Sequence, residues 1–114
     1  MTVVIYHNPN CSTSRNALAQ IRARGIEPQI VLYLKNPPDR ATLERIAAEV
    51  GGARAALRTK EKLVAELGLN DPDLDDAALI DAMLAHPVLI ERPIVATPKG
   101  TRVCRPLEKL AEVL

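Results

Sequence analysis

The sequence predicts an α/β fold: a mixed sheet with a run of helices inserted between its first and last strands. Three observations carry that expectation. A β-α-β pattern occupies the first 34 residues, three helical patterns follow one another through the middle, and a β-β-α pattern closes the chain. At 114 residues the chain is long enough for one domain with a single core and too short for two.

Val3, Val4, Ile5 and Tyr6 form a short apolar run that reads as a buried strand, and His7-Asn8-Pro9-Asn10 is a turn signal. Ser12 to Gly25 reads as a helix with Ala17, Leu18 and Ile21 on its apolar side, ended by Arg24-Gly25. Ile30-Val31-Leu32-Tyr33-Leu34 reads as a second buried strand, parallel to the first through a right-handed crossover. Asn36-Pro37-Pro38-Asp39 breaks it and caps a helix in which Leu43, Ile46, Ala47 and Val50 follow the i, i+3, i+4, i+7 rule; Gly51-Gly52 stops that helix. Arg54 to Arg58 and Lys62 to Leu67 read as short helices. Asp75 to His86 reads as a longer one, with Leu79, Ile80, Met83 and Leu84 on one face and Pro87 as its stop. Ile94-Val95-Ala96, the turn Pro98-Lys99-Gly100 and Thr101 to Cys104 predict an antiparallel pair, and Leu107 to Leu114 a last helix. The order is that of a thioredoxin-like mixed sheet with an inserted helical subdomain at about residues 39–86, within one domain over 1–114. A fold of this kind does not by itself fix a function.

Composition narrows the function classes. A net charge of +1 argues against binding nucleic acid or a membrane by bulk electrostatics, and two Tyr with no Phe or Trp leave little to stack on bases. The N-terminus has neither the positive region nor the apolar stretch of a signal peptide, and no apolar run approaches 18 residues, so a cytoplasmic location is expected. Two Cys and two His in no paired spacing predict no metal site, and a structural disulfide between Cys11 and Cys104 is disfavoured in that compartment.

Cys11 falls at or just before a helix N-terminus, where free N–H groups and the positive dipole end favour an anion. Such a position lowers a thiol pKa from ~8.5 into a range of roughly 3.5–7.5. Its neighbours Asn10, Ser12, Thr13 and Ser14 are polar, which favours a reactive thiolate over a core thiol. His7 can serve the thiolate as a cation or simply cap a strand end; Ser14 and Thr13 can donate to a sulfur or cap the helix. Arg58, Arg92 and Arg105 are candidate anion ligands because each lies at the end of an element, Arg92 directly before Pro93 and Arg105 directly before Pro106. Cys104 reads as a core or spectator thiol, and His86 as serving a helix C-terminus. A cysteine and arginine separated by five residues would mark a phosphatase-type loop. Here Arg15 comes too early and position 17 is Ala, which excludes it.

The segments Tyr6-His7-Asn8-Pro9-Asn10-Cys11-Ser12-Thr13-Ser14-Arg15-Asn16, Leu34-Lys35-Asn36-Pro37-Pro38, Arg54-Ala55-Ala56-Leu57-Arg58, His86-Pro87, Glu91-Arg92-Pro93-Ile94-Val95 and Arg102-Val103-Cys104-Arg105-Pro106 together resemble the glutaredoxin-coupled arsenate reductases, over essentially the whole chain. The resemblance implies a nucleophilic Cys11, thiolate stabilisation by His7 and Ser14, an oxyanion site of Arg58, Arg92 and Arg105, and a cis Arg92-Pro93 bond. It further implies arsenate as substrate, glutathione as co-substrate, glutaredoxin as partner, and no bound cofactor. The alternatives are a glutathione-dependent thiol-disulfide reductase of the same superfamily and a redox regulator of the Spx type that binds RNA polymerase. Ser14, standing where a C-x-x-C switch needs its second cysteine, weighs against the regulator.

Overall fold

A computed structural model describes residues 2–114. The chain divides into two compact units, one formed by the stretch up to Asn36 together with Arg92–Leu114, the other by Pro37–Glu91.

The first unit holds the sheet. Strand β1 (Val4–Tyr6) is followed by helix α1 (Ser12–Ala23) and strand β2 (Gln29–Val31), and the closing segment supplies β3 (Ile94–Thr97) and β4 (Gly100–Val103). The strand order is β2-β1-β3-β4. β1 runs parallel to β2 with Ile5 beside Ile30, and antiparallel to β3 with Ile5 opposite Val95. Both the parallel crossover and the closing hairpin are therefore as the sequence predicts. Side-chain alternation sends Val3 and Ile5 to one face, where they meet Ala17 and Ile21 of α1, Val95, Cys104, Leu110 and Val113. Burying an isoleucine as completely as Ile21 contributes roughly 1.5–3 kcal/mol. Cys104 is one of these core residues, as its sequence reading allows.

Several boundaries differ from expectation, each for a physical reason. β2 ends at Val31; the chain then turns, with Leu32 C=O accepting from the N–H groups of Lys35 and Asn36. β2 is also an edge strand, so Ile30 is partly exposed and not buried as predicted. A continuous apolar run cannot distinguish a central strand from an edge strand that enters a turn. α1 stops at Ala23, and Gly25 takes the left-handed backbone (φ 76°) of the exit turn. β4 runs from Gly100 to Val103, leaving Cys104 just past its end, and the last helical segment, Leu107–Glu112, is a 3₁₀ helix.

The second unit is helical. α2 (Arg40–Val50) is capped by the Asp39 carboxylate, which accepts from Thr42 N–H, and ends on Gly51 in the left-handed conformation. α3 (Ala53–Ala56), α4 (Lys62–Glu66) and α5 (Asp76–Ala85) follow, with Asp75 capping α5 through Ala78 N–H. Leu43, Ile46 and Ala47 of α2 and Leu79, Ile80 and Met83 of α5 are the buried stripes of their helices. α3 ends before Arg58, so this arginine does not close a helix as predicted; the chain there is extended, with Leu57 bridged to Ile90. Among the described residues no helix is long and apolar enough to cross a membrane.

Candidate active site

Two ladders of the sheet converge on one turn. Tyr6 lies opposite Ile94 at the end of the β1–β3 ladder, and just beyond it the Arg92 side chain reaches the thiol of Cys11 in the turn that follows β1. In the β3–β4 pair Ile94 lies opposite Val103, and Cys104 N–H donates to Pro93 C=O at 2.9 Å, just past the end of the ladder. Arg105 Nη1 donates to Arg92 C=O at 3.1 Å. The Arg92-Pro93 peptide is cis, as the resemblance implies, and so is Arg105-Pro106.

The turn itself is braced by a set of hydrogen bonds. His7 N–H donates to Val31 C=O at 2.8 Å, and Cys11 N–H to Asn8 C=O at 3.0 Å. Asn8 Oδ1 accepts from Asn10 N–H at 2.9 Å, an Asx-type turn. Pro9 C=O accepts from Arg15 Nη1 at 2.9 Å. Ser14 Oγ, wholly buried, accepts from Asn8 N–H at 3.1 Å and lies 2.6 Å from His7 Nδ1. Asn8 and Arg15 thus brace the cysteine turn, a role that sequence reading does not assign them. The spacing of Arg15, four residues after Cys11 on one helical face, is the signal that could have found it.

Cys11 is the N-cap residue of α1 and makes no capping hydrogen bond through its side chain. Only 8% of it is exposed, so it is more enclosed than its polar neighbours suggest. Burial pushes the thiol pKa up. The backbone N–H of Ser14, the guanidinium groups of Arg92 and Arg105, and the backbone N–H of Thr13 act together against it and bring the pKa down to about 7. Arg105 Nη1 lies 3.8 Å from Cys11 Sγ. The thiol is thus eased toward its ionised form near neutral pH, beside guanidinium groups suited to hold an oxyanion.

His7 lies in the same cluster, yet its surroundings do not favour the cation. Burial first, then the positive charges of Arg22 and Arg15, hold its pKa below the usual histidine range. At neutral pH it is an uncharged ring, hydrogen-bonded to Ser14. Of the six residues singled out from sequence, the first unit brings together Cys11, His7, Ser14, Arg92 and Arg105. Arg58 belongs to the second unit, where Nη1 meets Glu91 Oε1 at 3.0 Å and Nε meets Glu61 Oε1 at 3.3 Å. Burial works against its charge, and Glu91 and Glu61 more than offset that. These two carboxylates were not anticipated, and Glu91 is 33 residues away in sequence, beyond any local spacing rule. Among the described residues no three His, Cys, Asp or Glu side chains group as metal ligands.

The model of the ArsC family matches residues 6–113. An arsenate reductase of Rhizobium meliloti is 58% identical over 115 residues, spanning 100% of this chain and 82% of its own length. An arsenate reductase of Escherichia coli is 51% identical over 113 residues, spanning 98% of this chain and 80% of its own. The solved structure of an arsenate reductase from Vibrio cholerae aligns with a TM-score of 0.94 at 47% identity, covering 100% of this chain and 98% of that one.

Proposed function

The chain belongs to the ArsC family, and from that premise we propose that it reduces arsenate to arsenite through Cys11, with glutathione and glutaredoxin supplying the electrons. One observation carries the reading: a thiol drawn down to about 7 at a helix N-cap, with the Arg105 guanidinium on its sulfur.

The obstacle to the first step is charge. A thiolate approaching an anion at 4 Å is repelled by about 4 kcal/mol at an effective dielectric of about 20. Arg92 and Arg105 offset this and offer forked donors that fit two oxygens at once. The Cys11 thiolate then attacks arsenic(V), forming an S–As bond as one oxygen leaves as water with the protons it takes up. A glutathione thiol attacks Cys11 Sγ next. The S–As electron pair stays on arsenic, which is reduced by two electrons and departs as arsenite. The thiol proton goes to an arsenite oxygen, and Cys11 is left in a mixed disulfide with glutathione. A glutaredoxin thiolate takes the glutathionyl group by exchange, returning the Cys11 thiol. Ser14, where a C-x-x-C protein has its second cysteine, supports the use of an external thiol.

Ser14 positions Cys11 by holding the turn through Asn8 N–H and by offering its backbone N–H to the sulfur; neutral His7 fixes the Ser14 hydroxyl. Arg58 is proposed as a third anion ligand on the strength of the family resemblance, with Glu61 and Glu91 setting its orientation. Two free cysteines and a glutathione supply suit the reducing cytoplasm.

The test is arsenate-dependent NADPH consumption with glutathione, glutathione reductase and glutaredoxin. Turnover should vanish when glutaredoxin is omitted, and should fall on the order of 10³-fold or more in Cys11→Ser. Wild-type turnover in the Cys11→Ser protein, or none in the wild type, contradicts the proposal.

A further inference from the structure

Arg58 and Arg105 are both candidate anion ligands, yet their charges are differently surrounded. Arg105 donates to Arg92 C=O and lies on Cys11 Sγ, and no carboxylate among the described residues pairs with it. Arg58 stands between two. The buried residues Leu57 and Ile90 form an antiparallel bridge, flanked by Arg58 N–H donating to Leu89 C=O at 2.7 Å and Glu91 N–H donating to Ala56 C=O at 2.8 Å. Each one residue beyond the bridge, Arg58 and Glu91 meet side chain to side chain, Nη1 donating to Glu91 Oε1 at 3.0 Å. Glu61 supplies the other carboxylate: its N–H donates to Arg58 C=O at 3.2 Å, and its Oε1 accepts from Arg58 Nε at 3.3 Å. Main chain and side chains thus tie the same three residues together. Arg58 and Glu91 keep 15% and 14% of their side-chain surface in solvent, against 49% and 67% for the surface pair Arg22–Glu27, so water screens them weakly.

One guanidinium between two carboxylates leaves the trio net negative, so it exerts no long-range pull on an oxyanion. Arg58 Nη2, with its two N–H groups, has no hydrogen-bond partner among the described residues and is a donor held ready. We propose that Glu61 and Glu91 are positioning residues that make Arg58 a directional donor to arsenic already bonded to Cys11, and leave the capture of free arsenate to Arg92 and Arg105. The inference rests on the function proposed above, with Arg58 as the third anion ligand. Net charge attracts free and Cys11-bound arsenate alike and is felt in KM. A donor fixed in direction acts only once the oxygens reach it, and is felt in kcat. Released from its carboxylates, the long Arg58 side chain has to be ordered afresh at each turnover.

The experiment is the coupled assay with arsenate varied at saturating glutathione and glutaredoxin. Glu91→Ala should lower kcat about tenfold, while KM for arsenate falls about twofold because a negative charge is gone. Glu91→Gln still accepts from Nη1 and should regain most of kcat. In the Arg58→Ala background Glu91→Ala should cost nothing further, since Glu91 acts through that side chain. If Glu91→Ala does not fold, Glu61→Ala makes the same test at Nε. A kcat unmoved by Glu91→Ala overturns the proposal, as does a rise in KM alone, a Glu91→Gln rate no better than that of Glu91→Ala, or an equal loss in the Arg58→Ala background. Turnover that Arg58→Ala leaves unchanged removes Arg58 from the anion site, and this proposal with it. No arsenate turnover in the wild type removes the function itself.

Discussion

Cys11 and Cys104 lie in the same unit, and both are shielded from solvent, at 8% and 0% exposure. Their thiols titrate far apart. Around Cys104 stand Ile5, Ile21 and Val95, and burial pushes its pKa up to about 12, with Glu112 adding to the rise. Its Sγ lies 3.7 Å from the Arg102 C=O. Burial acts upward on Cys11 as well, but there backbone N–H groups and two guanidinium groups reverse it, to about 7. The difference teaches that enclosure alone makes a cysteine inert, and that donors aimed at the sulfur within that enclosure make it a nucleophile.

The largest effect expected after loss of Cys11 itself comes from the arginine forks. Arg92→Lys keeps the charge and removes the planar pair of donors. With charge-assisted hydrogen bonds at about 1.5–3 kcal/mol, kcat/KM for arsenate should fall about 10- to 100-fold. Equal rates for the two proteins would show that charge alone does the work beside Cys11.

A smaller effect separates hydrogen bonding from charge at the Cys11 end. His7 has its pKa lowered in the fold, so as pH falls the unfolded chain takes up this proton first. Its contribution to stability is fully present above the unfolded value of about 6.5 and is lost as pH falls through the folded pKa. Urea unfolding between pH 7.5 and 5.5 should therefore show a steeper loss in the wild type than in His7→Gln. The difference is at most about 1.4 kcal/mol per pH unit, one proton's worth. Identical slopes would mean that folding leaves the His7 pKa where it is in the unfolded chain.

The smallest effect belongs to the other thiol. Cys104→Ala should leave arsenate turnover near wild type and cost about 1 kcal/mol of stability, read as a shift in the urea midpoint. A large loss of turnover would place Cys104 in the reaction and erase the contrast between the two cysteines.

The parts of this contrast that were legible in the sequence are those set by local rules. The Cys11 turn, the apolar stripe Ala17–Ile21, the Asp39 cap and the hairpin about Pro98-Lys99-Gly100 all follow from residue type and spacing. Other features arise only from tertiary context. His7 is neutral because burial and the charges of Arg22 and Arg15 act on it, and neither can be read from a turn signal. Ile30 is partly exposed because β2 is an edge, a fact of strand order that five apolar residues in a row do not encode. Arg58 lies beyond its helix because Leu57 bridges to Ile90, a pairing across a long sequence interval.

The most direct measurement of the central claim is the pH dependence of alkylation, mapped to each cysteine by mass spectrometry in the wild type and in Arg105→Met. The account predicts a Cys11 midpoint near 7, moved up toward the ordinary thiol value once the guanidinium on its sulfur is removed, with Cys104 unreactive throughout. A wild-type midpoint at the ordinary thiol value of about 8.5, unmoved by Arg105→Met, would contradict it.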